Sequence, residues 1–114
     1  MSDAQRLQAA EACLEILDTA FFRALCEPSR LEVVVALVKV GRADITEIAK
    51  QTPLDRSVVS RHLQTLEQAG LAVSQKEGRQ TFYELDGPAI MEKFKTAMTA
   101  IEPLVPICCP ANSR

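Results

Sequence analysis

Two adjacent thiols, Cys108 and Cys109, lie between Pro106 and Pro110 near the C-terminus. Neighbouring Cα atoms are only about 3.8 Å apart, below the usual disulfide range, so a bond between these two sulfurs would be strained. A reduced pair is a soft donor set suited to a thiophilic ion. Adjacent side chains diverge in a helix and do not readily share an ion. The flanking prolines predict an extended, non-helical tail in which both sulfurs can turn toward one ion. The competing reading is a tail whose thiols carry no ligand.

A second group with chemical potential is Arg56, Ser57, Ser60 and Arg61. Arginine pairs bidentately with guanine or clamps a phosphate, and serine hydroxyls serve base edges or phosphates. Lys76 and Arg79 flank Gly78 and could meet phosphates or a minor groove. Spacing alone equally admits a solvated helix face and an ordinary charged hairpin. His62, the single histidine, could touch phosphate or simply border its helix. It has no identifiable acid, base or nucleophile partner in the sequence, and no phosphate loop or catalytic metal motif is present, so an enzyme is not expected.

The elements that must position these groups follow from composition and pattern. At 114 residues, with 47% hydrophobic and 25% charged residues, the chain is expected to form one compact domain. Aromatic content is 4% with no Trp, so the core must be built from Leu, Val, Ile and Ala, which suits packed helices. Net charge is −2, so nucleic-acid binding would need a local basic cluster. No run approaches the roughly 18 apolar residues of a membrane span, and the start MSDAQR is not a signal peptide. A cytoplasmic protein without membrane association is expected, with its four cysteines as thiols.

From Asp3 to about Leu25, the residues Leu7, Ala10, Leu14, Leu17 and Phe21 recur at helical spacing, with a possible break at Asp18-Thr19. Glu27-Pro28 marks a helix start, and LEVVVALVKV reads as a buried helix ending at Gly41. Asp44 caps a short helix in a D-x-x-E pattern with Glu47, stopped by Thr52-Pro53. Asp55 caps a longer one, to Gly70, whose apolar stripe is Val58, Val59, Leu63 and Leu66. Residues 72–75 and 81–85 read as two strands of a β-hairpin. A last helix runs from about Pro88 to Glu102, with Ile90, Met91, Phe94, Met98 and Ile101 on one side, and Pro103, Pro106 and Pro110 end it. The fold class is therefore mainly α with a small β-hairpin, in the order of a winged helix-turn-helix whose second helix enters the major groove. Residues 1–105 form that domain and its end helices, and residues 106–114 a cysteine-containing tail.

At this level the chain resembles the ArsR/SmtB family. The resemblance rests on Leu25-Cys26-Glu27-Pro28-Ser29-Arg30-Leu31, on Asp44-Ile45-Thr46-Glu47-Ile48-Ala49, and on Val59-Ser60-Arg61-His62-Leu63 with Leu66 and Ala69-Gly70-Leu71, then Glu77-Gly78-Arg79 and Tyr83. It implies a dimeric winged-helix repressor that leaves DNA when an inducer binds, commonly a metal or metalloid ion. Carried over by position, the DNA-contacting residues would be Arg56, Ser57, Ser60 and Arg61, with Lys76 and Arg79 in the wing. Many members have Gln where this chain has Arg56, so the operator sequence is left open.

The resemblance also implies that the first and last helices pair across a two-fold axis, giving a homodimer on an inverted-repeat operator of duplex DNA. The family's Cys-x-Cys before the recognition helix is absent, and so is the Asp/His set of its zinc sensors. Cys108-Cys109 is similar to the vicinal pair of arsenical-responsive members. Trivalent arsenic as arsenite prefers three thiolates, and Cys13 would be the third ligand with Cys26 as second choice; a two-thiol site would instead suit a monomethylated arsenical or mercury. Two other readings stay open: a thiol redox or persulfide sensor linking Cys108 or Cys109 to Cys13, and a helical adaptor without DNA affinity.

Overall fold

The computed structural model describes residues 2–108, with side chains through residue 106. Its helices are α1 (Asp3–Leu17), α2 (Ala20–Ala24), α3 (Pro28–Val40), α4 (Ile45–Lys50), α5 (Arg56–Gln68), α6 (Gly87–Ile101) and α7 (Val105–Cys108), with one 3-10 turn at Glu102–Leu104. The strands are β1 (Arg42–Asp44), β2 (Ala72–Glu77) and β3 (Gln80–Leu85), in the sheet order β1-β3-β2, all antiparallel. The chain is thus mainly helical with a small sheet, as composition and pattern predict. It divides into a central unit, Ala20–Ile90, and a terminal unit formed by the segments on either side.

The central unit holds the core. Val33, Ala36 and Leu37 of α3, Ile48 of α4 and Val59, Leu63 and Leu66 of α5 are buried together with Phe21, Ala24, Ala43, Leu71, Ala72 and Tyr83. The β-branched run in α3 is helical because Glu27 caps it: its carboxylate accepts from the backbone N–H groups of Ser29 and Arg30, each at 3.3 Å, with Pro28 in the first turn. Helical spacing then puts Val33, Ala36, Leu37 on the inner side. At its other end α5 stops in a Schellman arrangement. The Leu71 N–H bonds the Leu66 carbonyl at 2.9 Å and the Gly70 N–H bonds Glu67 at 3.1 Å, and Gly70 supplies the positive φ of 85° that this closure needs.

Three expectations are corrected. The break at Asp18-Thr19 is complete, so Phe21 does not share a stripe with Leu7 and Leu14; it is a core residue of α2, while α1 has no buried residue. The hairpin has a third strand. Ala43 pairs with Tyr83 across β1 and β3, a segment too short to show alternation in sequence. The chain past α6 is helical rather than extended: Pro103 opens the 3-10 turn and Pro106 lies in the first turn of α7. Proline is tolerated there because first-turn N–H groups have no intrahelical partner. Cys108 accordingly ends a helix, and the expectation of a non-helical Cys108 fails. Cys109 lies outside the described residues.

Candidate nucleic-acid interface

The two short helices α4 and α5 both begin at aspartates. Asp44 caps α4, its Oδ1 accepting the Glu47 N–H at 2.9 Å. Asp55 takes the same position before α5, but its side chain makes no capping bond. Between the two helices, the Thr52 hydroxyl donates to the Ala49 carbonyl at 3.1 Å and accepts the Leu54 N–H at 3.2 Å. This closes the turn of the helix-turn-helix.

Burial on α5 falls at Val59, His62, Leu63 and Leu66, which fixes the helix's rotation about its axis. Arg56, Ser57 and Arg61 are exposed, and Ser60 is half-buried at the edge of the packed face. Val58, expected in the apolar stripe, is only half-buried. The exposed arginines therefore come from the first two turns, the portion of a recognition helix that approaches base edges.

The wing is a two-residue hairpin. Glu77 pairs with Gln80, so Gly78 and Arg79 form the turn, and Gly78 has φ of 64°, the left-handed backbone that its first position requires. Lys76 sits opposite Thr81 inside the ladder rather than at the tip. Lys76 and Arg79 are both exposed. Sequence reading missed what holds this hairpin in place. Arg42 of β1 forms an ion pair with Glu77, and its guanidinium lies 4.4 Å from the Phe82 ring centroid. Gln80 Nε2 donates to Asp44 Oδ2 at 2.9 Å, so one aspartate both caps α4 and ties down the wing. These cross-links bring two predicted residues together. Arg56 and Arg79 line one cleft of about 220 Å³ with Asp44, Thr46 and Thr81.

His62 also differs from expectation. It is 8% exposed, and its Nε2 is 2.8 Å from the Ser29 hydroxyl oxygen, so it does have partners. The Ser29 hydroxyl donates to Glu27 Oε2. With its one proton spent there, the hydroxyl accepts from His62, whose Nε2 must carry hydrogen. That polarity is the reverse of a base-activated nucleophile, which would donate its hydroxyl proton to a bare ring nitrogen. Glu27 is held below its ordinary range first by the Ser29 hydroxyl bond and further by the two backbone N–H groups. Burial lowers the His62 pKa, and Arg30 and Arg61 lower it further against the pull of Glu27. The sequence signal for this cluster lay unused in Glu27-Pro28-Ser29, whose capping role brings a hydroxyl beneath the middle of α5.

Of the cysteines, Cys13 is half-buried on α1, and Cys26 is exposed with its thiol 3.4 Å from the Phe22 carbonyl. No cluster of three or more His, Cys, Asp or Glu side chains able to hold a metal ion occurs among the described residues.

Residues 27–74, which run from the α3 cap through α5 into the first wing strand, match the profile of the bacterial regulatory protein, arsR family. This stretch is therefore similar to the arsR family. Over 63 residues, 55% of its length, it is 43% identical to the HTH-type transcriptional regulator CmtR of Mycobacterium bovis, covering 52% of that protein. It is 34% identical over 73 residues, 62% of the chain, to the HTH-type transcriptional repressor SmtB of Mycobacterium tuberculosis, covering 53% of it. The chain thus matches about half the length of these curated relatives. Among solved structures, an ArsR-like transcriptional regulator from Rhodococcus sp. RHA1 superposes with a TM-score of 0.62 at 27% identity. That superposition covers 74% of this chain and 77% of the other. The fold is the winged helix-turn-helix of this family.

Proposed function

We propose that the chain is a DNA-binding transcriptional repressor that holds an inverted-repeat operator as a homodimer and releases it when a thiophilic inducer binds. The observation that carries this reading is the placement of Arg56 on the leading end of α5 and Arg79 at the wing tip around one cleft, with Ser57 and Arg61 exposed on the same helix. Helix N-terminal residues would read base edges in the major groove while Lys76 and Arg79 engage phosphates or the neighbouring minor groove. The similarity to HTH-type transcriptional regulators, one of them a repressor, supports it.

Dimerisation would use the end helices. Leu7, Leu14 and Leu17 of α1 and Met91, Phe94, Met98 and Ile101 of α6 are exposed apolar side chains at helical spacing, a pattern suited to burial against a second copy. The inducer would be trivalent arsenic or another soft ion, held by Cys108 and Cys109 with Cys13 as third thiolate; because Cys108 ends α7, binding would require that last turn to open so that both sulfurs face one ion. The support is chemical, since all three donors are soft thiols and no imidazole is available for a harder ion: His62, the lone histidine, is committed beneath α5.

The test is a gel shift with a duplex from the promoter of the protein's own gene. Binding should weaken with salt, and Arg61→Ala should weaken it further. Arsenite or methylarsenite should then release wild-type protein and leave Cys108→Ser/Cys109→Ser bound. A salt-independent shift, or none, overturns the DNA reading. Equal release of wild type and double mutant overturns the thiol site.

A further inference from the structure

We propose that the central unit holds a separate binding site for a small organic carboxylate, in the cleft between α2, α3 and the C-terminal half of α5. The cleft has a volume of about 300 Å³ and none of its residues belongs to the thiol or DNA-contacting sets. The size is that of a small-ligand pocket. Its walls combine the methyl groups of Ala20, Ala24 and Ala69 with the guanidinium groups of Arg23 and Arg30, and Thr65 and Gln68 contribute polar edges from α5. An apolar surface bearing cationic groups fits a ligand with a compact hydrocarbon part and one carboxylate.

Arg30 carries the argument. It is half-buried, its Nη1 donates to the Ala24 carbonyl at 3.1 Å, and its buried Nε has no hydrogen-bond partner among the described residues. The ion pairs described in the central unit, Arg42 with Glu77 and His62 with Glu27, do not involve Arg30. A guanidinium drawn partly out of water without a carboxylate is under-compensated, and an anion in the cleft beside it would supply the missing charge. Arg23, exposed at the rim, can close over the same anion.

The site is linked to the recognition helix through charge. The groups around His62 are Ser29, Glu27 and Arg30 at the start of α3 and Arg61 on α5, and Arg30 opposes protonation of the imidazole. A carboxylate paired with Arg30 offsets that opposition, so occupancy must raise the His62 pKa, and by linkage His62 protonation must favour occupancy. This inference is independent of whether the chain binds DNA.

The probe is benzoate, titrated into the full chain against chloride at constant ionic strength and followed by amide and imidazole NMR signals. Saturable shifts centred on Ala20, Ala24, Thr65, Gln68 and Ala69 are expected, with a rise in the His62 pKa at saturation. Arg30→Met should weaken binding by about tenfold or more, the loss of a charge-assisted bond. Should Arg30→Met fail to fold, Ala69→Leu provides the second variant, filling the cleft while leaving both guanidinium groups in place; it should abolish the shifts. Non-saturating shifts, equal effects from sulfate, an unmoved His62 pKa, or undiminished binding in the variant that folds would each overturn the proposal.

Discussion

The two units of this chain treat their apolar residues in opposite ways. In the central unit, leucines at positions 37, 63, 66 and 71 are almost wholly removed from water. In the terminal unit, Leu7 and Leu14 are each 62% exposed, Met98 is 67% exposed, and only Ala97 is buried among the described residues. Both units display amphipathic helical spacing in sequence. One buries much of the apolar face within the unit, whereas the other leaves it exposed. Periodicity reports that a helix has an apolar face and is silent about what covers that face.

The same substitution made in each unit should break the symmetry of pattern. Leu63→Ala leaves a cavity at a site with 0% exposure and should lower unfolding stability by about 2–5 kcal/mol in denaturant titration. Leu14→Ala should change chain stability by only about 0.5 kcal/mol or less when measured on dilute monomer. Its effect should instead appear in sedimentation equilibrium, and Met98→Glu, which buries a charge in the proposed interface, should leave the protein monomeric at micromolar concentration. An unchanged dimer in Met98→Glu would move the interface elsewhere.

The comparison sharpens further within the central unit. Arg61→Ala removes an exposed side chain and should leave folding unaltered while weakening operator binding by about 1–3 kcal/mol, read by anisotropy. The two aspartate caps should then differ. Asp44→Ala loses both a capping bond and the Gln80 tie, so it should cost about 1 kcal/mol and loosen the wing, seen as faster amide exchange in β3. Asp55→Ala should cost less, because its side chain makes no capping bond.

The smallest expected effect concerns pH. The folded His62 pKa lies below its ordinary value of 6.5, chiefly through burial, so the folded state resists protonation. The stability associated with neutral His62 is present above pH 6.5 and is lost as pH falls through that value toward the lower folded pKa. Thermal unfolding of wild type should show this decline, and His62→Gln should flatten it.

Helix order and most boundaries were legible because their signals are local. Glu27-Pro28, Asp44 and Ala69-Gly70 each act on backbone groups within a few residues, so the sequence displays both partners. Helix α5 was equally legible, since rotation about its axis follows from the spacing of Val59, Leu63 and Leu66. What escaped is non-local. The pairing of Ala43 with Tyr83, the Arg42–Glu77 staple and the Ser29–His62 bond join residues 33 to 40 positions apart, and no periodicity encodes them. The prolines misled for a different reason. Pro103 and Pro106 break the helix that precedes them, yet each also fits the first turn of the one that follows.

In the proposed function, two copies present two α5 helices to one duplex. A hydroxyl-radical footprint on the promoter of the protein's own gene tests it most directly. Two protected patches are expected, their centres one helical turn apart at about 34–36 Å, both lost together in Met98→Glu and both weakened in Arg61→Ala. A single patch, or a footprint indifferent to both substitutions, would contradict it.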